Sequence, residues 1–400
     1  MIKTANYEPV LLGALKSAQA NDYKGYDKFD ALNSPFLQQL SFGNPWLRFI
    51  LIQLVKESPF NIRPFLGVQT FRNPKGIALF ARAYLFLYRK TKNEEYLKEA
   101  KILLDWLLEN PSPGYKNLCW GYQFAWQDIP PFFQNKGEPN CVVTVFTGEA
   151  LIHAFRETRD RKYLDAACSV ARFLTEDLPV IYEKGEERAI SYIAQPINLI
   201  VINIQVLSAA FLTKIFWHKQ DQKILDIARK QLNFAYHRRT SYNAWYYTEP
   251  KGKSFIRHDN YHTGGILDGF LEYFEETKDE RYMDVYWQGL DYYQKNLFED
   301  NGAPRWMNDQ KYPLDIHGAA QGIISFAKAG RYKKEYIVQA ARIGEWTMNN
   351  LYRSRAQDFI YRQGRFFKCD FSLMRWCNAW MARALAEYVL ADSDPVKKGI

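Results

Sequence analysis

The chain has little that would anchor it in a membrane or hold a prosthetic group. It has no apolar run approaching the roughly 18 residues that mark a membrane-spanning helix, which excludes a transmembrane segment. Its five cysteines, Cys119, Cys141, Cys168, Cys369 and Cys377, are odd in number and form no C-x-x-C pair. Neither a disulfide framework nor a zinc knuckle is expected, and the thiols read as small core residues. No metal or other cofactor is expected. The N-terminal stretch MIKTANYEPVLLGALKSAQ lacks a basic region followed by an apolar segment and a small-residue cleavage site, so the sequence predicts a cytoplasmic protein. Lysine and arginine are spread over the whole length with no basic run and no recognised nucleic-acid motif. The formal net charge of +9 therefore favours anionic small partners, such as an acidic glycan or a sugar phosphate, or serves solubility alone.

What the chain does have is a repeated phrase. TKNEEYLKEA, TRDRKYLDAA, KQDQKILDIA, TKDERYMDVY and RYKKEYIVQA each stand between one helical stretch and the next, with anchors at Tyr96, Tyr163, Ile224, Tyr282 and Tyr336. The anchors recur at roughly 55 to 65 residues, longer than the periods of helix-pair solenoids. Segments from Gly76, Thr147, Asn203, Thr263, Gly318 and Asn378 are small and apolar on more than one face and read as buried helices. Stretches from Pro45, Glu94, Lys162 and Glu280 carry one apolar stripe and a charged face, and read as outer helices. The pattern predicts an all-α chain of about six inner and six outer helices, an (α/α)6 barrel or six-hairpin toroid. One toroid is expected over residues 1–400, with 1–42 packing on or across it.

The repeated phrase joins inner to outer helices, so the long, unlike loops gather at the other end, before the N-termini of inner helices. Unpaired N–H groups and helix dipoles there favour anionic groups. Two loop ends concentrate ionisable side chains: Arg257-His258-Asp259-Asn260-Tyr261-His262-Thr263 and Tyr312-Pro313-Leu314-Asp315-Ile316-His317-Gly318. Asp259, Tyr261, His262, Asp315 and His317 are the candidate catalytic residues, because proton transfer needs acids and bases converging on one cavity. Each Asp has an alternative reading as a helix cap. Trp120, Tyr122, Trp126, Gln127, Trp376 and Trp380 are candidate sugar-binding walls, since ring faces stack on sugar C–H faces beside polar hydroxyl partners. Arg257, Asn260 and Arg375 are candidates to hold an anionic substituent, with pairing of Arg375 to a neighbouring Asp as its alternative. The expected partner is a carbohydrate, acidic or neutral.

In order along the chain, KGYDKFDALNSP, RPFLG, CWGYQFAWQ, PNCVVT, NYHTG, FEDNG, YPLDIHGAAQ and MRWCNAWM resemble a bacterial family of six-hairpin glycosidase-like proteins associated with surface-polysaccharide biosynthesis. The similarity spans essentially the whole chain, with Ala125 standing where the family often carries Asp. The Trp–Tyr loop before PNCVVTVFTGEAL and the Tyr–His helix start also look like the catalytic barrel of glucuronyl C5-epimerases. The resemblance implies a carbohydrate-active protein; three classes stay open, with glycoside hydrolysis the leading one by fold analogy. A glycoside hydrolase would use Asp259 and Asp315 as paired carboxylates. A uronate lyase or C5-epimerase would exchange a proton through Tyr261, His262 and His317. A glycan-binding protein would use the aromatic walls alone.

Overall fold

A computed structural model describes residues 6–130 and 132–393. Among the described residues, six helices form an inner ring: α4 (Pro74–Thr91), α6 (Cys141–Thr158), α8 (Ile202–Lys219), α10 (Asn260–Thr277), α12 (Ile316–Gly330) and α14 (Trp380–Ser393). Each packs on the next, and α14 returns to α4, so the ring closes. Around it stand α1 (Glu8–Ala20), α5 (Glu94–Glu109), α7 (Arg161–Arg172), α9 (Gln222–His237), α11 (Met283–Asn296) and α13 (Glu335–Asn350). This is the (α/α)6 barrel that the hydrophobic pattern predicts.

One outer helix differs from expectation. Pro45–Glu57 (α3), with the short α2 (Pro35–Leu40), packs on residues 30–33 and the 126–127 strand, while α1 takes the sixth outer position against α14. The apolar stripe of α3 misleads because much of it faces outward: Trp46, Ile50 and Leu54 are exposed.

The repeated phrase has a backbone cause. Lys92, Arg159, Gln220 and Lys278 end their inner helices in the left-handed region, with φ between 54° and 62°. In the first three cases an Asn or Asp follows at once, Asn93, Asp160 or Asp221, whose side chain accepts an N–H two residues on and opens the outer helix. At the opposite end, loops are held side by side by short ladders of two residues per strand, pairing 24–25 with 71–72, 126–127 with 133–134, 200–201 with 248–249, and 362–363 with both 314–315 and 368–369. Inner helices begin there on side-chain caps: Asn73, Asn140, Asp259 and Asp315 accept N–H bonds from their first turns. The close approach of α8 and α10 requires Gly269, where an added Cβ would lie 2.4 Å from Val206.

A helix enclosed on all sides leaves its polar groups only one place to meet, the barrel axis. Counting from each helix start, Arg82, Glu149 and Asp268 are ninth residues, and His153, Lys214, Glu272 and Lys328 thirteenth, which puts both sets on one helix face. Lys214 bridges Glu149 at 2.6 Å and Glu272 at 2.5 Å. Lys328 bridges Glu272 at 2.5 Å and Asp268 at 3.2 Å. Arg82 approaches Glu149 at 3.6 Å, and Arg383 and Arg331 pair with Glu387. Burial raises the Glu149 carboxyl, yet Lys214, His153 and Arg82 more than reverse this and hold it well below its ordinary value.

Every inner helix thus contributes to one axial network. Removing one partner strands a buried charge, so Glu149→Gln is expected to cost about 3–5 kcal/mol in urea unfolding, and Glu149→Gln with Lys214→Met to recover part of that loss. A single-variant loss under about 1 kcal/mol would contradict this role.

Candidate active site

The second residues of three inner helices meet one cluster of rings just inside the caps. At α4, α10 and α12 these residues are Lys75, Tyr261 and His317. The Tyr261 ring lies parallel to His317, with centroids 4.4 Å apart and planes 5° apart, and also touches His262 at 4.4 Å. His317 rests on Trp380 at 4.2 Å and edge-on to Trp376 at 4.5 Å. His262 stacks on Tyr247 at 4.3 Å. The fold thus brings together five of the predicted residues, Tyr261, His262, His317, Trp376 and Trp380, and adds Tyr247 and Lys75.

Asp259 and Asp315 border this cluster, and both caps are real. Asp259 is 1% exposed, accepts the His262 backbone N–H, and accepts from His262 Nδ1 at 3.0 Å. With Nδ1–H donated to a carboxylate, the neutral ring keeps its lone pair on Nε2. Asp315 is 3% exposed and accepts from the His317 N–H at 2.9 Å and Trp376 Nε1 at 2.8 Å. Its second oxygen lies 3.7 Å from Lys28 Nζ. His317 Nδ1 has no hydrogen-bond partner among the described residues. Burial, with the Arg375 and Lys28 cations nearby, holds its imidazole far below its ordinary value, so His317 is a neutral ring. Burial, then Asp259 and Asp315, keep the Tyr261 hydroxyl protonated.

Several candidates stand elsewhere. Trp120 is fully buried, its Nε1–H donated to the Leu107 carbonyl at 2.9 Å. Gln127 is buried and spends its amide on the Phe132 and Asp128 carbonyls. Asn260 donates to the Leu297 carbonyl at 2.7 Å and accepts from Tyr293, which places it in the barrel wall. Arg257 is exposed and paired with Asp309 at 2.7 Å. Arg375 grips Asp27 through Nε and Nη2, tying the N-terminal segment to the start of the last inner helix and committing that edge of the guanidinium to a carboxylate of the chain itself. Trp126 lines the loop wall between Phe29 and Phe132, and Tyr122 lies beneath Arg375.

Lys28, Lys75, Tyr247 and Asp128 went unread in the sequence. Lys75 had a usable signal, its place in the same helical register as Tyr261 and His317. The others come from loops whose approach depends on the ladders. Lys28 reaches in from the N-terminal segment, its Nζ 3.9 Å from the Trp376 ring centre and within 6 Å of Phe29, Trp306 and Tyr361. Burial raises the Asp128 carboxyl, and this group acts electrostatically on Tyr247. Among the described residues no three His, Cys, Asp or Glu side chains converge as a metal site.

No protein-family model matches the chain, and no curated protein matches it in sequence. Its fold is similar to several solved structures. A cellobiose 2-epimerase from Bacillus thermoamylovorans superposes with TM-score 0.62 at 12% identity, over 81% of this chain and 90% of that one. A family 76 glycoside hydrolase, an α-mannanase from Bacteroides thetaiotaomicron, gives 0.61 at 15%, over 79% and 85%. A protein from Listeria innocua gives 0.64 at 13%, over 97% of both. At these identities the likeness establishes the six-hairpin toroid and nothing finer.

Lys28 supplies a pH signature. Burial lowers its ammonium from 10.5 to about 8, against the pull of Asp315. Below about pH 8 the folded state bears the full cost of the buried charge; between about 8 and 10.5 the unfolded chain binds more protons, so this residue's contribution to stability rises with pH. Lys28→Met is expected to remove that rise from denaturant midpoints measured across the window. An unchanged slope would show that Lys28 titrates normally.

Proposed function

We propose that this chain is a carbohydrate-active enzyme, working as one toroidal unit, that moves a proton at a sugar carbon beside a carbonyl, as in epimerisation or aldose–ketose isomerisation. The observation that carries this reading is the pair of imidazoles on the first turns of adjacent inner helices, with Tyr261 between them. His262, oriented by Asp259, presents Nε2 as the base that takes the proton from the carbon next to the carbonyl. His317, neutral in the folded protein, returns or shuttles a proton, and the Tyr261 hydroxyl donates to the enediolate oxygen as charge develops there. Trp376 and Trp380 offer ring faces to the sugar.

Two-carboxylate hydrolysis is less well supported. Asp259 and Asp315 are already engaged as caps and as acceptors from His262 and Trp376. One observation still favours it: Asp128, raised by burial near Tyr247, has the character of a general acid. The uronate reading loses the three groups assigned to hold the carboxylate, since Arg257, Asn260 and Arg375 are all engaged elsewhere. The resemblance to surface-polysaccharide proteins, together with fold neighbours that include epimerases, hydrolases and a D-mannose isomerase, supports a sugar or short glycan as substrate.

Proton NMR in deuterium oxide with a panel of aldoses and reducing disaccharides tests the reading. It predicts loss of the C2–H signal without new reducing ends, and a drop of at least about 100-fold for His262→Asn and for His317→Asn. New reducing ends with retained C2–H would give the assignment to hydrolysis.

A further inference from the structure

Nine lysine and arginine side chains are buried among the described residues, and eight of them have a carboxylate within 4 Å. Lys75 is the ninth and has none. It is 5% exposed, on the first turn of α4, at the helical position that α10 and α12 give to Tyr261 and His317. Its Nζ lies 4.2 Å from the Phe146 ring centre and 5.0 Å from that of Trp380. Trp380 is also the ring on which His317 rests, and Phe146 and Trp380 together line the axial cavity of about 50 Å³. With no carboxylate in reach, a charged ammonium there has only two ring faces to offset its lost hydration, whereas a neutral amine needs no counter-charge. Burial, reinforced by the Arg375 guanidinium, drives its ionisation well below the ordinary lysine value, with Asp27 opposing weakly. Desolvation in an apolar pocket beside a second cation is how enzymes make a lysine amine nucleophilic near neutral pH.

We infer that Lys75 is a nucleophile that forms an imine with the open-chain carbonyl of the sugar at this same site. The inference rests on the proton-transfer reading above. The Nζ lone pair attacks the carbonyl carbon, a C–N bond forms, and the carbinolamine loses the former carbonyl oxygen as water, with proton transfers through His317. The protonated imine withdraws electrons from the neighbouring carbon more strongly than the carbonyl does, which eases proton removal by His262. Reprotonation followed by hydrolysis restores the amine, so atoms and electrons balance over the cycle and no oxidant or reductant is consumed.

Acetylacetone tests the amine without requiring sugar recognition, because it condenses with neutral amines to a stable vinylogous amide that absorbs in the near ultraviolet. At pH 7 the full-length protein is expected to gain one adduct on the Lys75 peptide at least about tenfold faster than on exposed lysines, since each unit of lowered pKa gives tenfold more free amine. Lys75→Met, which keeps the length of the side chain, carries no charge and has no amine, should lose that adduct while retaining its circular dichroism and thermal melt. Borohydride added during incubation with mannose or glucose should fix the sugar to Lys75 as a secondary amine. Adducts only on exposed lysines, with Lys75 unmodified in the folded protein, would overturn the inference even if deuterium exchange into sugars is observed. Modified Lys75 with no exchange in any sugar would instead remove the proton-transfer reading and leave a nucleophilic amine.

Discussion

The structure depends on one constraint: six helices enclosed on every side must place their polar groups on a common axis. Lys214 lies between Glu149 and Glu272, and Lys328 between Glu272 and Asp268, so α6, α8, α10 and α12 are coupled through largely buried charges. Arg82 extends the chain of contacts to α4, and Arg383 and Glu387 carry the same arrangement on α14. The cost of burying these ions is offset only while all partners are in place. That condition holds the helices in register, and the register decides which residues meet at the mouth, three turns away.

At the mouth, the caps also hold the side chains of the proposed site. Asp259 starts α10 by accepting the His262 amide and also fixes the His262 ring. Asp315 starts α12 and also anchors Trp376, against which His317 packs. The two readings offered by the sequence, cap and functional carboxylate, are therefore not alternatives. Each Asp positions a histidine through the bond that begins its helix. On the proposed reading the imidazoles, not the carboxylates, meet the substrate, because both carboxylates are taken up as caps and as acceptors from His262 and Trp376.

The hairpins were legible in the sequence because their cause is local. A left-handed residue followed by Asn or Asp, as in Lys92-Asn93 or Arg159-Asp160, writes a helix stop and a helix start into adjacent positions. The placement of Tyr261 next to His317 was legible for the same reason, since equivalent hairpin positions face one cavity. The axial charges were not legible as such, because Lys214 and Glu272 look in sequence like any solvated helix charge. The sixth outer helix was misassigned because α3 has a better apolar stripe than α1, although Tyr7 and Leu11 of the N-terminal segment are the ones buried against the barrel. For Arg375 the sequence leaves open an anionic ligand or an Asp of the chain; the Asp proves to be Asp27, 348 positions away and so not identifiable from the local pattern. Lys28 arrives by the same long route, and no local pattern announces it.

The central claim is that chemistry occurs between His262 and His317, on first turns that the caps align. A crystal structure with an open-chain alditol, which cannot react, tests it most directly. The account predicts the second carbon of the alditol about 3–3.5 Å from His262 Nε2, with its other face toward His317 and its first carbon toward Lys75. An alditol held between the Asp128 and Asp259 carboxylates, with both imidazoles turned away from its carbon chain, would contradict it.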